Sequence, residues 1–204
     1  HSLVVDDASL SVVDPVREQF CCHHFYSAES TFDGWHSLVN ERAKREPLAQ
    51  EVTMTQHDVA VIMYTSGTTG LPKGAMLTHG NLMWNNINAH FAFGQSRDDV
   101  VLTVAPLFHI GGLNVLTLHT ITLGGTLLLI RAFDPGQVLG FIEQHKVALM
   151  FGAPAMFNFM AQHPDFEATS FDSVKTFICG AAPPPESLLT LYAERGVDFC
   201  QGYG

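Results

Sequence analysis

A glycine-rich stretch between residues 64 and 74 combines residue types that suit it to holding phosphate groups. It reads Tyr-Thr-Ser-Gly-Thr-Thr-Gly-Leu-Pro-Lys-Gly and directly follows an apolar run. Glycines expose backbone N–H groups, hydroxyls donate hydrogen bonds to anionic oxygens, and a lysine supplies positive charge. The stretch is not a Walker loop, because its lysine, Lys73, lies between Pro72 and Gly74 rather than before Ser or Thr. Its composition favours a phosphate-binding loop; an ordinary polar loop is the alternative.

Four other apolar runs also end in small or conformationally special residues. The turns that follow them are Pro106–Gly112, Gly152–Pro154, Gly180–Pro183 and Gln201–Gly204. In a parallel sheet, ligands bind beyond the carboxyl ends of the strands, and small residues there allow close approach to the backbone. We therefore expect these turns and the glycine-rich loop to converge at one edge of one sheet. Lys73, His109 and Tyr203 should then face a common cleft.

Strand-like and helix-like segments alternate along the part of the chain that carries these turns. Apolar, β-branched runs predict buried strands at 59–64, 100–105, 126–130, 147–151, 176–179 and 197–200. Helices are predicted at 81–93, 111–123, 135–145, 154–163 and 185–195. This alternation predicts an α/β fold with a mostly parallel sheet and flanking helices. Residues 1–50, polar and irregular after a short apolar start, form a lead-in to a motif-bearing core at 51–204.

Composition and charge narrow the choice of partners. The 204 residues are 47% hydrophobic, enough for a packed core, and carry a formal net charge of −10 at pH 7. The ten basic residues are scattered, so neither nucleic acid nor an anionic membrane is an expected partner. Pro, His and Gly-Gly pairs interrupt the uncharged run at 100–130, so we expect no transmembrane segment. The cysteines do not have the spacing of a disulfide framework and no signal peptide is recognisable, so we expect a cytoplasmic protein. A homo-oligomer is compatible with the sequence.

The string YTSGTTGLPKGAMLTHGNL, at residues 64–82, closely resembles the signature loop of the adenylate-forming superfamily of acyl-CoA synthetases, luciferases and peptide-synthetase adenylation domains. Pro106–His109 resembles the next motif in its acyl- and aryl-CoA ligase version. Gly180–Pro183 resembles the strand end that contacts adenine, and Gln201–Gly204 the start of a motif that continues Met-Thr-Glu. The chain is most similar to bacterial medium- and long-chain fatty-acyl-CoA ligases. The resemblance implies that residues 1–204 are part of an AMP-binding domain, the large N-terminal domain of such enzymes.

The resemblance implies an AMP-forming acid–thiol ligase. The carboxylate of a fatty acid would attack the α-phosphate of ATP and release pyrophosphate, and the thiol of coenzyme A would then displace AMP. An aryl or hydroxycinnamoyl acid is the alternative substrate, and a non-catalytic nucleotide-binding module is the alternative to an enzyme. The family segments that bind magnesium and carry the catalytic lysine of the C-terminal domain would lie beyond Gly204. We therefore expect the 204-residue chain by itself to form no acyl-AMP.

The resemblance also implies roles for individual residues. Lys73 and His109 would be catalytic: Lys73 would neutralise the leaving pyrophosphate, and His109 would line the carboxylate end of the acid. Thr65 would also offer its hydroxyl to Mg²⁺. The residues implied to bind the nucleotide are Thr65, Ser66, Gly67, Thr68, Thr69, Gly70 and Lys73 around the phosphates, and Gly180, Ala181, Ala182, Pro183, Gln201, Gly202, Tyr203 and Gly204 around AMP.

Several apolar residues around the fourth predicted helix are candidates for an acyl tunnel. Core packing is the alternative for most of them, because Met and Phe at helical spacing usually belong to the core. The candidates are Met150, Phe151, Met156, Phe157, Phe159 and Met160.

Overall fold

A computed structural model describes residues 1–46, 52–65 and 70–203 of the chain, which divides into two compact units, residues 1–53 and 54–204. The first unit contains a small parallel sheet where the polar sequence predicted irregular structure. Its strands β1 (Ser2–Val5), β2 (His24–Ser27) and β3 (His36–Ser37) pair in that order, with short helices α1 (Leu10–Val13) and α2 (Leu38–Ala43). Val5, Leu10 and Trp35 form its core. Strands of two to four residues are too short to produce a recognisable alternation of apolar and polar positions.

The apolar run at 59–64 lies outside the parallel sheet of the second unit, so the expectation of a shared edge is wrong for the glycine-rich loop. It forms β4 (Val59–Thr65), which pairs antiparallel with β5 (Lys73–Thr78) in a separate two-stranded sheet. The register partners Ile62 and Met76 are 55% and 67% exposed, so β4 is not buried on both faces. A continuous apolar run predicts a strand but does not specify its partner.

A five-stranded parallel sheet forms the centre of the second unit and confirms the α/β class. Its strands are β6 (Val100–Thr103), β7 (Thr126–Leu129), β8 (Val147–Gly152), β9 (Thr176–Cys179) and β10 (Phe199–Gln201). They lie in the order β10-β9-β8-β6-β7, and every pairing between neighbours is parallel. All five carboxyl ends therefore lie at the same edge.

Four of the five predicted helices begin and end within two residues of the predicted positions, whereas the helix predicted at 111–123 is divided into two short helices. The helices of this unit are α3 (His79–Phe93), α4 (Ile110–Gly112), α5 (Leu118–Leu123), α6 (Pro135–His145), α7 (Pro154–Ala161) and α8 (Glu186–Glu194). A π-helical turn at Leu113–Thr117, which the sequence did not predict, connects α4 to α5. Thr78 and Asn81 form a capping box at the start of α3, and Asp134 caps α6 just before Pro135. Among the helices of the described ranges, none is both long and apolar enough to cross a membrane.

Alternate side chains of each strand pack on opposite faces of the sheet, as the period of two requires. Leu102, Met150 and Phe177 join the core that α6, α7 and α8 cover. Their neighbours Val101, Leu149 and Ile178 pack on the other face, against Leu116 of the π-helical turn and Phe93 of α3. The sheet is therefore the middle layer of three.

An ion pair joins β6 and β9 at the amino edge of the sheet. Nζ of Lys175 lies 2.8 Å from both carboxylate oxygens of Asp99, and the backbone N–H of Ser96 donates to the same carboxylate at 2.7 Å. Burial of the Asp99 side chain opposes its ionisation, but the hydrogen bonds from Lys175 and Ser96 outweigh that effect. The pKa of Asp99 therefore lies below its ordinary value.

Asp99→Asn should lower the free energy of unfolding by about 1–2 kcal/mol near pH 7, because Lys175 loses its charged acceptor. A depressed folded-state pKa contributes stability above the unfolded pKa of about 3.9, and that contribution disappears as the pH falls through the folded-state pKa. Denaturant unfolding from about pH 7 to about pH 3 should therefore show a shrinking difference between the variant and the wild type. Asp98→Asn is the matched control, because Asp98 is exposed. A difference that stays constant with pH would contradict the prediction.

Candidate functional site

A cavity of about 490 Å³ opens at the carboxyl edge of the parallel sheet, within the size range of small-molecule sites. The turns after β6, β8, β9 and β10 form most of its wall. The strand order places it where the chain changes direction, because β7 lies on one side of β6 and β8 on the other. Crevices of this kind are the usual ligand sites of open parallel sheets.

The ring of Phe151, at the end of β8, lies between two glycines of the cavity wall. A Cβ atom on Gly111 or on Gly180 would come within 2.8 Å of the Phe151 ring, closer than real Cβ atoms approach other atoms. Gly112 is equally constrained, because its Cβ would lie 2.7 Å from the carbonyl oxygen of Ala105. The small residues of these turns thus make room for an aromatic ring of the wall, a role the sequence did not reveal.

His109 lies in the cavity wall and caps α4 with its own side chain. Its Nδ1 accepts a hydrogen bond from the backbone N–H of Gly111 at 3.0 Å. In the neutral imidazole, a nitrogen that accepts leaves the proton on the other nitrogen, so Nε2 is the donor. The ring therefore has a fixed orientation and an N–H available for a ligand.

Two turns implied to bind AMP contribute to the same cavity. Ala181 is held at φ 71°, a left-handed conformation that few residues other than glycine adopt, and lines the wall next to Gly180. Gly202 donates its N–H to the carbonyl of Cys179 at 2.8 Å, which holds the two turns together. The ring of Tyr203 also lines the cavity and is fully exposed, so its face is open to a planar base. Ala182 and Pro183 lie on the turn after β9, and Gln201 is the last residue of β10; none of the three belongs to the wall that the described residues form.

The residues that flank the central part of the glycine-rich loop, Thr65 and Lys73, lie on the β4–β5 hairpin rather than on the edge of the parallel sheet. Thr65 and Lys73 are register partners at its base, and the Thr65 hydroxyl donates to the Lys73 carbonyl at 3.4 Å. Lys73 is exposed and is not among the described residues that line the cavity, so the expected common cleft contains His109 and Tyr203 but not Lys73. Gly70, three residues before Lys73, is also exposed. The predicted site residues Ser66, Gly67, Thr68, Thr69 and Gly204 lie outside the described residues.

The assignment of the Thr65 hydroxyl to Mg²⁺ stays a prediction. Mg²⁺ is normally held by carboxylates and phosphate oxygens. No group of three or more His, Cys, Asp or Glu side chains in residues 1–46, 52–65 and 70–203 could hold a metal ion.

The candidates for an acyl tunnel fall into three groups. Phe151 and Met156 line the cavity. Met150, Phe157 and Met160 are completely buried in the core, and Phe159 is 55% exposed. Core packing is therefore the correct interpretation for three of the six.

The sequence did not identify two asparagines of the cavity wall as site residues. Asn85 of α3 donates from Nδ2 to the backbone carbonyl of Asn114, in the π-helical turn, at 2.7 Å. Asparagine is a poor helix former, because its side chain competes for backbone hydrogen bonds. Its presence inside two helical segments was the available signal, but nothing in the sequence indicated that residues 29 positions apart would meet.

The profile of the AMP-binding enzyme family matches residues 3–204. A feruloyl-CoA synthase from an Amycolatopsis species is 48% identical over 147 residues, which are 72% of this chain and 30% of that protein. A long-chain-fatty-acid–CoA ligase from Bacillus subtilis is 35% identical over 197 residues, which are 95% of this chain and 35% of that protein. The chain thus spans about a third of the length of these relatives.

Solved structures share the fold. The inhibitor-bound N-terminal domain of FACL13 from Mycobacterium tuberculosis superposes with a TM-score of 0.83 at 29% identity, covering 98% of this chain and 50% of that one. ATP-bound MatB from Rhodopseudomonas palustris superposes with a TM-score of 0.84 at 26% identity, covering 100% of this chain and 40% of that one.

Gly180→Ala should lower the free energy of unfolding by about 1–3 kcal/mol, because the added methyl group overlaps the Phe151 ring. Gly140→Ala is the matched control. Gly140 lies within α6 and its Cβ would meet nothing within 4 Å, so we expect a gain of about 0.5–1 kcal/mol from the better helix former. Thermal or urea unfolding of both variants tests this. Equal effects would show that the Phe151 ring does not constrain Gly180.

Proposed function

The chain belongs to the AMP-binding enzyme family, and we propose that it forms part of an AMP-forming acid–CoA ligase whose acid binds in the cavity at the sheet edge. The observation that carries this proposal is the meeting of His109 with Ala181, Gly202 and Tyr203 in one cavity wall. A hydrogen-bond donor for a carboxylate and an open aromatic face for a base are thereby adjacent. Activation of an acid by a nucleotide requires both ligands side by side.

The proposed reaction has two steps. A carboxylate oxygen attacks the α-phosphorus of ATP, the bond to the β-phosphate oxygen breaks, and pyrophosphate leaves. The thiol of coenzyme A then loses its proton, attacks the acyl carbon and displaces AMP. The first step requires little covalent chemistry from the protein. The protein therefore contributes orientation of the reactants and neutralisation of charge.

The proposal gives each of these residues a role. The Nε2–H of His109 donates to the carboxylate of the acid and orients it, since Nδ1 is already engaged with Gly111. Tyr203 stacks on one face of the adenine, and the backbone of Gly180 and Ala181 lies along the other. Lys73, at the start of β5, brings positive charge to the departing pyrophosphate from the hairpin. The proposal includes coenzyme A as the acceptor of the acyl group and Mg²⁺ as the ion that accompanies ATP.

We propose an aryl acid as the preferred substrate, with a fatty acid as the second candidate. The higher identity to the feruloyl-CoA synthase, 48% against 35% for the long-chain-fatty-acid–CoA ligase, favours the aryl acid. The match to the fatty-acid ligase covers 95% of this chain, so a fatty acid is retained as the second candidate substrate.

The test is pyrophosphate release by the complete protein with ATP and a panel of cinnamic, benzoic and saturated fatty acids, with and without coenzyme A. We expect acid-dependent pyrophosphate release, with turnover that needs coenzyme A and the highest kcat/KM among the aryl acids. A higher kcat/KM for fatty acids would select the second candidate. Release with none of the acids would contradict the proposed function.

Lys73→Ala in the complete protein should lower kcat for pyrophosphate release by about 10²-fold and change the KM for the acid much less. Charge on the departing pyrophosphate develops in the transition state, where a lysine contributes most. Lys44→Ala is the control, because Lys44 is exposed and pairs with Glu41 in the first unit. A raised KM for the acid with an unchanged kcat would assign Lys73 a different role.

A further inference from the structure

A second cavity, of about 320 Å³, lies between α3 and α5, apart from the candidate site. Its wall combines apolar side chains with two histidines, His90 of α3 and His119 of α5. His90 is exposed at the surface, whereas His119 is only 2% exposed. The apolar members of the wall are Met83, Ile87, Phe91 and Leu123.

The ring of His119 is buried without any hydrogen bond. Both of its nitrogens are inaccessible to solvent, and neither has a partner among the described residues. A neutral imidazole carries one N–H donor and one acceptor, whereas the protonated ring carries two donors and a positive charge. Leaving a neutral polar group unpaired costs far less than burying an unpaired charge. This position therefore accepts the neutral ring and disfavours the protonated one.

The described elements that pack against α5 bring no negative charge to His119. The ring of His90 meets the His119 ring edge to face, with centroids 5.7 Å apart, so a proton on each ring would cause repulsion. The residues of α3, α5, β7 and the π-helical turn include no Asp, Glu, Lys or Arg, and the remaining histidine among them, His79, begins α3 eleven positions before His90. Burial of the His119 ring lowers its pKa below the ordinary value, and the charge of His90 lowers it further.

The loop after α3 also leaves His119 without a counter-charge. Its buried acid, Asp99, already pairs with Lys175, and its other charged residues, Arg97 and Asp98, are exposed. The loop contacts α5 through a neutral hydrogen bond, in which the Gln95 amide donates to the hydroxyl of Thr120 at 2.9 Å. A proton on His119 would therefore have to be stabilised by water.

We propose that the packing of α3 on α5 is acid-sensitive: it holds while the His119 ring is neutral and is released when the ring takes up a proton. Water can reach the charged ring only if the two helices separate. Separation breaks the bond from Asn86 Nδ2 to the Thr122 hydroxyl at 2.9 Å and the bond from Asn85 to the Asn114 carbonyl. Because Asn85 and Asn114 line the cavity at the sheet edge, acid would also loosen the wall of the candidate site.

The direction of the pH dependence follows from the two states. A ring exposed by opening has the ordinary pKa of about 6.5, whereas the enclosed ring has a lower one. The open state therefore binds more protons, so the packing is fully stable above about pH 6.5 and loses stability as the pH falls below that value. A role for His119 in packing alone would change the stability by the same factor at every pH.

The experiment measures hydrogen–deuterium exchange of the α3 and α5 amides in the complete protein from about pH 7.5 to about pH 5, with rates corrected for the intrinsic pH dependence of exchange. Uptake of one proton on opening predicts that their protection falls by up to about tenfold per pH unit below about pH 6.5. In His119→Phe, which keeps a ring but cannot take up a proton, protection should not depend on pH. His145→Phe is the matched control, because His145 is exposed on α6, and its profile should equal that of the wild type.

His119→Leu is a second variant without a titrating ring and covers the case in which His119→Phe fails to fold. Wild-type protection in α3 that is the same at about pH 7.5 and at about pH 5 would overturn the inference without any variant. An equal loss of protection in the wild type and in the His119 variants would also overturn it, because another group would then be responsible. None of these measurements depends on the proposed function, since no acid or nucleotide is added.

Discussion

The packing of the Phe151 ring between Gly111 and Gly180 determines the shape of the candidate site. Phe151 lies at the carboxyl end of β8, the central strand of five, and its register partners are Thr103 on β6 and Ile178 on β9. The ring therefore reaches the turns that follow both neighbouring strands, and each turn contacts it through a residue without a side chain. Because neither turn can approach further, the ring sets the spacing of the cavity walls. The positions of His109 and Ala181 both depend on that spacing.

Strand order then determines which parts of the sequence meet at this edge. The chain moves from β6 to β7 on one side and continues through β8, β9 and β10 on the other, so the turns after β6 and β8 diverge from each other. The gap between them becomes the cavity, and the later turns close its far side. His109 and Tyr203 share one wall although 94 positions separate them, because parallel strands bring all their carboxyl ends to a single edge.

The sequence predicted the crossover helices and the five parallel strands, since each has a strong apolar pattern and most have recognisable caps or stops. It could not predict the partner of β4, because a run such as Val59–Tyr64 is compatible with a buried parallel strand and with one arm of an exposed hairpin. The small residues of the turns correctly indicated a site, but their role against Phe151 depends on tertiary packing. Asn85 and Asn114 were missed for a related reason, since two isolated asparagines carry no pattern before the fold brings them together.

The cavity wall contains two locally unfavourable features, which are tolerated because the neighbouring core is rigid. The left-handed backbone of Ala181 costs about 1–2 kcal/mol, and the side-chain oxygen of Asn114, which has no partner among the described residues, about 1–3 kcal/mol. Tyr192 packs against five phenylalanine rings with centroids 5.1–6.1 Å apart, and its buried hydroxyl donates to the carbonyl of Phe157 at 2.9 Å. One of those rings belongs to Phe177 of β9, the strand that leads directly into Gly180 and Ala181. A turn anchored to such a strand cannot relax by moving its base, so the strain at Ala181 remains in the cavity wall, where a ligand meets it.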